Sequence, residues 1–370
     1  MTAPSLTPSL TPRAVTLRAV SVPLARPLVT RIVTIEAAPL LLIDLDTEEG
    51  ITGRAYLFGY VSAGPRYIAP LISDLVARFK GRTLAPNALW DLAGTALSLF
   101  GWQGLTAIAV SGLDMAFWDA AARAANKPLA ELIGGAIQPI DAYNSNGLGI
   151  IDASQAAEES QALIAEGGYR AVKIRVGRQT AADDIAVVRA VRDAVGGDVA
   201  CPCDFNQCLD VAEAIRRGRA LDDEGLMWIE EPIRYDDLAG NAEVAAAVAT
   251  PISIGENFFG PQAMQDAITA KAADFMMPDA GRIGGVTGWL RAAAMAEAAG
   301  IKMSSHLYPE ISAHLLAATP TRHWLEYVDW AAPILADPPR VAEGTLTAPQ
   351  TLGTGIDWNE DAVAKYKVDL

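Results

Sequence analysis

The 370-residue sequence predicts an α/β protein, a TIM-like (β/α) barrel preceded by a smaller α+β domain. Two textures carry that expectation. After Gly135, apolar runs of four to seven residues alternate with Ala-rich amphipathic stretches such as 156–165 and 243–248, the pattern of βα units on a parallel sheet. Before Gly135, strand-like patterning over 14–62 gives way to a helical period over 65–135. The length suits two domains, and 51% hydrophobic residues suit a large core.

Residues 1–13, rich in Ser, Thr and Pro with a doubled Ser-Leu-Thr-Pro, read as a disordered tail. The α+β domain runs over 14–135. Val15, Leu17, Val20 and Val22 alternate imperfectly, residues 40–45 form a buried run, and Glu48-Glu49-Gly50 turns the chain into 51–60. Helical spacing then links Ile72, Leu75, Val76 and Phe79, and again Leu113, Met115, Phe117 and Trp118. Gly134-Gly135 ends the domain, residues 136–335 form the barrel, and 336–370 form a C-terminal segment.

Charge and cysteine content exclude several classes. The net charge of −15 repels nucleic acid and anionic membrane alike. An anionic small molecule then needs a local cation to receive it. No run of about 18 unbroken apolar residues is present, and the stretch 105–124 carries Asp114 and Asp119. The N-terminus lacks a basic segment followed by an apolar one, so no secretory signal is expected. Three clustered cysteines, Cys201, Cys203 and Cys208, do not make a disulfide framework and point to a reducing cytoplasm.

Seven of the apolar runs in the barrel region end in a residue able to do chemistry. These are Lys173 with Arg175, Asp204 with Asn206, Glu230 with Glu231, Glu256, Asp279, His306 and Glu326. From Lys173 onward the intervals are 31, 26, 26, 23, 27 and 20 residues, each about one strand, one helix and two loops. Polar residues at the C-terminal ends of successive parallel strands converge on one rim, where a barrel places its active site. A single acid after a strand is as well explained as a helix cap. Seven in regular succession are not.

Asp204, Glu230 and Glu256 stand on three consecutive strands, so their carboxylates meet and repel unless a cation joins them. Oxygen-only ligation favours Mg²⁺, which keeps positions open for substrate. The cysteines offer a soft-metal alternative, but Cys201 and Cys203 lie on a buried strand with no second thiol pair, so they read as inert. Asp279 and His306 follow at the next two strand ends, where an Asp fixes the tautomer and raises the basicity of an imidazole. His314 and His323 sit in apolar runs and read as packing residues. Lys173 and Arg175 share one strand face and supply the positive charge an anion needs. Glu326 is a carboxylic acid able to donate to an oxyanion if its pKa is raised. Together these groups imply abstraction of a proton next to a carboxylate, through a metal-stabilised enediolate.

On these residues the chain resembles the enolase superfamily, and within it the mandelate racemase group. Asp204-Phe-Asn206-Gln, Trp228-Ile-Glu230-Glu-Pro232 and Ile254-Gly-Glu256-Asn resemble its three metal-ligand segments. Met277-Pro-Asp279 with Ile283-Gly-Gly285, and Met303-Ser-Ser-His306, resemble its dyad; His323-Trp-Leu-Glu326 completes the match. The resemblance implies a (β/α)7β barrel under an N-terminal α+β capping domain, with the C-terminal segment returning to the cap. It implies that Lys173 sits beside the metal-bound carboxylate, Asn206 near the substrate's 2-hydroxyl, and Ser145 facing the carboxylate. Glu326 is then a hydrogen-bonding partner of the substrate carboxylate. It further implies a small carboxylate substrate and a homo-oligomer, dimer or octamer.

Two signals conflict over the reaction. The mandelate racemase group carries Lys-x-Lys where this chain has Lys173 and Arg175, and its second lysine is the base opposite the histidine. Deprotonating a guanidinium with a pKa above about 12 at neutral pH costs about 7 kcal/mol, which favours His306 as the only base and dehydration of a 2,3-dihydroxy or sugar acid. Against this, the segment corresponding to the mobile cap loop, with Leu28 and Ile35 at its ends, is apolar, and Tyr56 and Phe58 add aromatic surface. That composition favours an aryl or alkyl 2-hydroxy acid. Overall resemblance ranks a racemase or epimerase first, a dehydratase second and a non-catalytic ligand-binding relative last.

Overall fold

The computed structural model describes residues 7–370. Part of the expected tail, 1–6, lies outside the described residues, and the remainder is not a tail. Leu10 is buried and exchanges two backbone hydrogen bonds with Leu84 (2.8 and 2.9 Å), and the first strand already begins at Pro12. Composition alone missed one apolar residue whose burial offsets the ordering of its neighbours.

The N-terminal region is an antiparallel meander of β1 (Pro12–Val29), β2 (Thr34–Thr47) and β3 (Thr52–Phe58) covered by α1 (Gly64–Phe79), α2 (Pro86–Ala96) and α3 (Leu105–Ala124). Gly50, at φ 79°, makes the expected turn between β2 and β3. Helix α3 is long and apolar enough to span a membrane, but 94% of its apolar window is buried inside the fold. It lies so close to the sheet that a Cβ on Gly112 would come within 2.5 Å of Leu57. Its two acids are satisfied internally: Asp114 accepts from Thr287 Oγ1 (2.6 Å) and N (2.9 Å), and Asp119 from Thr354 N (2.6 Å) and Arg123 Nε (2.7 Å). Asp114 therefore ties this domain to the barrel.

The short α4 (Leu129–Leu132) leads into the barrel. There β4 (Pro139–Asn144), α5 (Ala153–Ala165), β5 (Ile174–Arg175), α6 (Ala181–Val195), β6 (Cys203–Asp204) and α7 (Val211–Leu221) open the βα succession. It continues through β7 (Ile229–Glu230), α8 (Leu238–Ala247), β8 (Ile252–Ile254), α9 (Pro261–Ala270), β9 (Phe275–Met276) and α10 (Gly285–Ala299). Residues 303–306 take the next strand position through parallel bridges Met276↔Met303 and Asp279↔His306, followed by α11 (Pro309–Ala317) and β10 (Leu325–Tyr327). Strand β10 pairs in parallel with β4 and closes a (β/α)7β barrel. Beyond it, β11 (Thr345–Thr347) pairs with β4, and α12 (Glu360–Tyr366) and β12 (Lys367–Val368) return to the N-terminal domain, where β12 adds to β1.

Helix caps are made by other residues than the acids at the strand ends. Asp152, Thr180, Asp210 and Asp237 accept from the first-turn N–H groups of α5, α6, α7 and α8. Asp204, Glu230, Glu256 and Asp279 cap nothing, so their side chains are left for the barrel mouth.

Candidate active site

Strand register places the chemistry. Arg175, Asp204 and Glu230 stand abreast on β5, β6 and β7, and Asp279 stands beside His306. Parallel neighbours are about 4.8 Å apart, and oxygens of Asp204, Glu230 and Glu256 come within 4.8 Å of one another. Burial, partly offset by Lys173, pushes Glu230 up to about 8. Three carboxylates converging this closely fit a hard dication, and so does a further observation: the buried side-chain oxygen of Asn206 has no partner, while its amide donates to Asp204 (2.8 Å).

Lys173 lies inside this acidic set. Its ammonium is 2.7 Å from Glu230, 2.6 Å from Glu326 and 3.6 Å from Asp204. Burial opposes its charge, but those three carboxylates overcome burial and raise its pKa. Glu326 departs from the expectation of a neutral acid. Burial would raise it, yet Lys173 and His306, together with the N–H of Leu307 (2.8 Å), hold it well below the ordinary carboxylate range. Its other oxygen accepts from Ser145 Oγ at 2.7 Å.

Arg175 is fixed as a donor. Nη1 donates to the carbonyls of Ser145 (2.8 Å) and Gly147 (2.9 Å), and Nη2 donates to Ser145 Oγ (2.8 Å). Only Nε is without a partner. Every one of these contacts uses the guanidinium as a donor, so this side of the cavity presents a cation.

The other side holds the dyad. His306 Nδ1 is 2.6 Å from Asp279 Oδ2, and its Nε2 is 3.2 Å from Glu256 and 3.8 Å from Glu326. Asp279 is fully buried and also receives Gly281 N–H at 2.6 Å. Burial opposes the imidazolium, but Glu256, Glu326 and Asp279 raise His306 to about 9. Left-handed φ values flank these groups, at Asn206 (46°), Gln207 (63°), Glu231 (38°), Leu307 (49°) and Tyr308 (49°). Strain of this kind costs about 1–3 kcal/mol per residue and concentrates where side chains are aimed at a ligand.

Lys173, Arg175, Asp204, Asn206, Glu256, His306 and Glu326 line one cavity of about 280 Å³, while Glu230 and Asp279 are fully buried beside it, against Lys173 and His306. Its outer wall is the tip of the β1–β2 hairpin, where Leu28 pairs with Ile35 and the turn is closed by Thr30 N–H on Val33 O (2.9 Å). Leu28 and Ile35 line the cavity, joined by Ile32, Val33, Phe58, Val328 and Trp330. Tyr56 does not. Its hydroxyl donates to Glu310 at 2.6 Å at the domain junction. It shares a face with Phe58, but at about 3.3 Å per residue it stops some 7 Å short of the mouth, and Phe58 and Tyr60 take the place expected for it. Sequence reading also missed Arg282, whose Nε donates to Tyr60 (2.7 Å) and whose Nη1 donates to Asn257. An arginine three residues past the dyad Asp was the available signal. His314 is a packing residue as expected, accepting from Ala130 N–H and bonded to Thr354 O, both at 3.2 Å. Burial holds it and His323 down to about 4. The three cysteines are free, and burial pushes Cys201 and Cys208 up to about 11.

Residues 155–362 match the family described as enolase C-terminal domain-like, and residues 13–134 match the mandelate racemase / muconate lactonizing enzyme N-terminal domain. The chain belongs to the enolase superfamily. Among solved members, an enolase from alpha pretobacterium bal199 with bound Mg is 49% identical, with a TM-score of 0.95 over 97% of this chain and 100% of that one. An enolase from Bradyrhizobium complexed with magnesium and mandelic acid is 44% identical, with a TM-score of 0.93 over the whole of both chains. The L-talarate/galactarate dehydratase of Salmonella typhimurium is 34% identical over 262 residues, 71% of this chain and 66% of its own length, just under two thirds. This protein is thus a Mg²⁺-dependent enzyme of the superfamily, which sets aside a non-catalytic relative.

Proposed function

We propose that this enzyme removes the α-proton of a small carboxylate with His306 as its only base, and that the reaction is dehydration of a 2,3-dihydroxy acid bearing an apolar side chain. The observation that carries this reading is the fixation of Arg175 on two carbonyls and Ser145 Oγ. A donor so engaged does not accept a proton, whereas 1,1-proton transfer needs a competent base on each face. Asp204, Glu230 and Glu256 would hold Mg²⁺, which when bound supplies positive charge to the substrate carboxylate as negative charge builds on it. Asp279 holds the His306 ring through Nδ1, leaving Nε2 to take the α-proton and return it to the departing β-hydroxyl as water. Lys173 and Arg175 hold the carboxylate end by charge. The apolar hairpin tip covers the remainder and excludes water.

One observation favours a second reading. Leu28, Ile35, Phe58 and Trp330 form a wall suited to an aryl group, and a 44% identical neighbour carries mandelic acid. A racemase of an aryl 2-hydroxy acid would fit that wall. Proton NMR in D₂O with Mg²⁺ separates the two. A 2-keto-3-deoxy product from a 3-aryl-2,3-dihydroxypropanoate is expected, with α-proton exchange from one enantiomer of a simple 2-hydroxy acid. Equal exchange from both enantiomers, without a keto product, would replace dehydration with racemisation.

A further inference from the structure

Beneath the charged layer the barrel is filled by a small apolar cluster of Tyr143, Ala171 and Trp228, separate from the main core. The Tyr143 and Trp228 rings meet edge-on at 5.6 Å, and Phe275 closes the other side of Trp228 at 6.2 Å. Trp228 is fully buried and stands two residues before Glu230 on β7, so both side chains point into the barrel with the indole one layer below the carboxylate. Its Nε1–H donates to Glu230 Oε2 at 3.2 Å, while Oε1 of the same carboxylate faces Lys173 at 2.7 Å.

An indole N–H can only donate, and Glu230 is the acceptor it reaches. Without it, Oε2 would be a buried polar oxygen with no donor, and the carboxyl group would be free to rotate about its last torsion. We propose that Trp228 is a positioning residue for the cation. By holding Oε2 toward the barrel floor it leaves Oε1 on the side of Lys173, where the three carboxylates converge, and so sets the affinity for Mg²⁺. This rests on the reading that Glu230 ligates Mg²⁺.

The test is calorimetric titration of Mg²⁺ into metal-stripped full-length protein. Trp228→Phe keeps an aromatic ring and removes the donor; loss of such an orienting partner is expected to weaken Mg²⁺ binding about 10- to 100-fold. The Mg²⁺ concentration for half-maximal turnover should rise by the same factor. Trp289→Phe is the control, because its buried indole donates to Thr319 (3.0 Å) away from the cavity; binding within about twofold of the parent is expected. Trp228→Phe that also binds within twofold would overturn the inference. Glu230→Gln that binds like the parent would overturn the ligand assignment instead. Should Trp228→Phe fail to fold, ¹⁵N-indole spectra of the parent protein decide. The Trp228 resonance must shift in step with Mg²⁺ saturation, and a resonance that stays in place overturns the inference.

Discussion

The two sides of the cavity treat their nitrogens differently. On the β5 side, Lys173 is enclosed by three carboxylates and Arg175 donates to two carbonyls and a hydroxyl, so both are fixed cations. On the opposite side, His306 has one nitrogen anchored on Asp279 and the other facing the cavity near Glu256 and Glu326. A base needs a lone pair within reach of substrate and a partner that stabilises the proton once taken. Only the His306 side has both. The β5 side has charge without a site for a proton, which suits binding and stabilisation of an anion rather than proton transfer.

The largest expected effect comes from breaking the proton-accepting side. His306→Asn removes the base while keeping a polar side chain of similar reach. Turnover and α-proton exchange in D₂O should fall about 10³- to 10⁴-fold. Exchange at the parent rate would place the base elsewhere.

Arg175→Lys sharpens the contrast from the other side. An ammonium in reach of a lowered pKa restores the missing base, and slow exchange from the second enantiomer should appear where the parent shows none. Forward turnover should drop about tenfold, because the Ser145 and Gly147 carbonyls lose their bidentate partner. Unchanged stereospecificity in this variant would mean that geometry, not proton affinity, silences the β5 side.

The smallest effect is in pH. His306 acts as a base only when neutral, so kcat/KM should rise tenfold per unit up to its pKa and then level. With Mg²⁺ present the limb should lie below about 9, because Glu256 is foremost among the groups that raise His306 and a bound dication offsets its charge. In EDTA the same raised pKa stabilises the fold. That contribution is complete below the unfolded value of about 6.5 and is lost as pH rises through about 9. It is on the order of 3 kcal/mol, readable from urea melts at pH 6 and pH 10. Equal stability at both would remove the Glu256–His306 contact as its source.

Much of this site was legible because barrel strands recur at fixed intervals and end facing one mouth. Intervals of 20 to 31 residues point Lys173, Asp204, Glu230, Glu256, Asp279, His306 and Glu326 to one rim; in the structure five of them line one cavity, and Glu230 and Asp279 are buried against Lys173 and His306. What failed depended on distances across the chain. Tyr56 and Phe58 share a strand face and differ only in how far along it the mouth lies. The ionisation of Glu326 is decided by Lys173, 153 residues earlier and 2.6 Å away. Leu10 was read with its Ser/Thr/Pro neighbours, although its partner is Leu84.

By itself, then, the sequence determined the succession of βα units, the identity of the rim residues and the need for a cation among three acids. These follow from periodicity and residue type, which are local properties. Only the tertiary structure decided that Arg175 is a locked donor, that Glu326 is an anion and that Trp228 orients a carboxylate. Protonation and orientation are set by whichever charges and donors lie within a few ångströms in a medium with little water to screen them, and the chain reveals those neighbours only when folded.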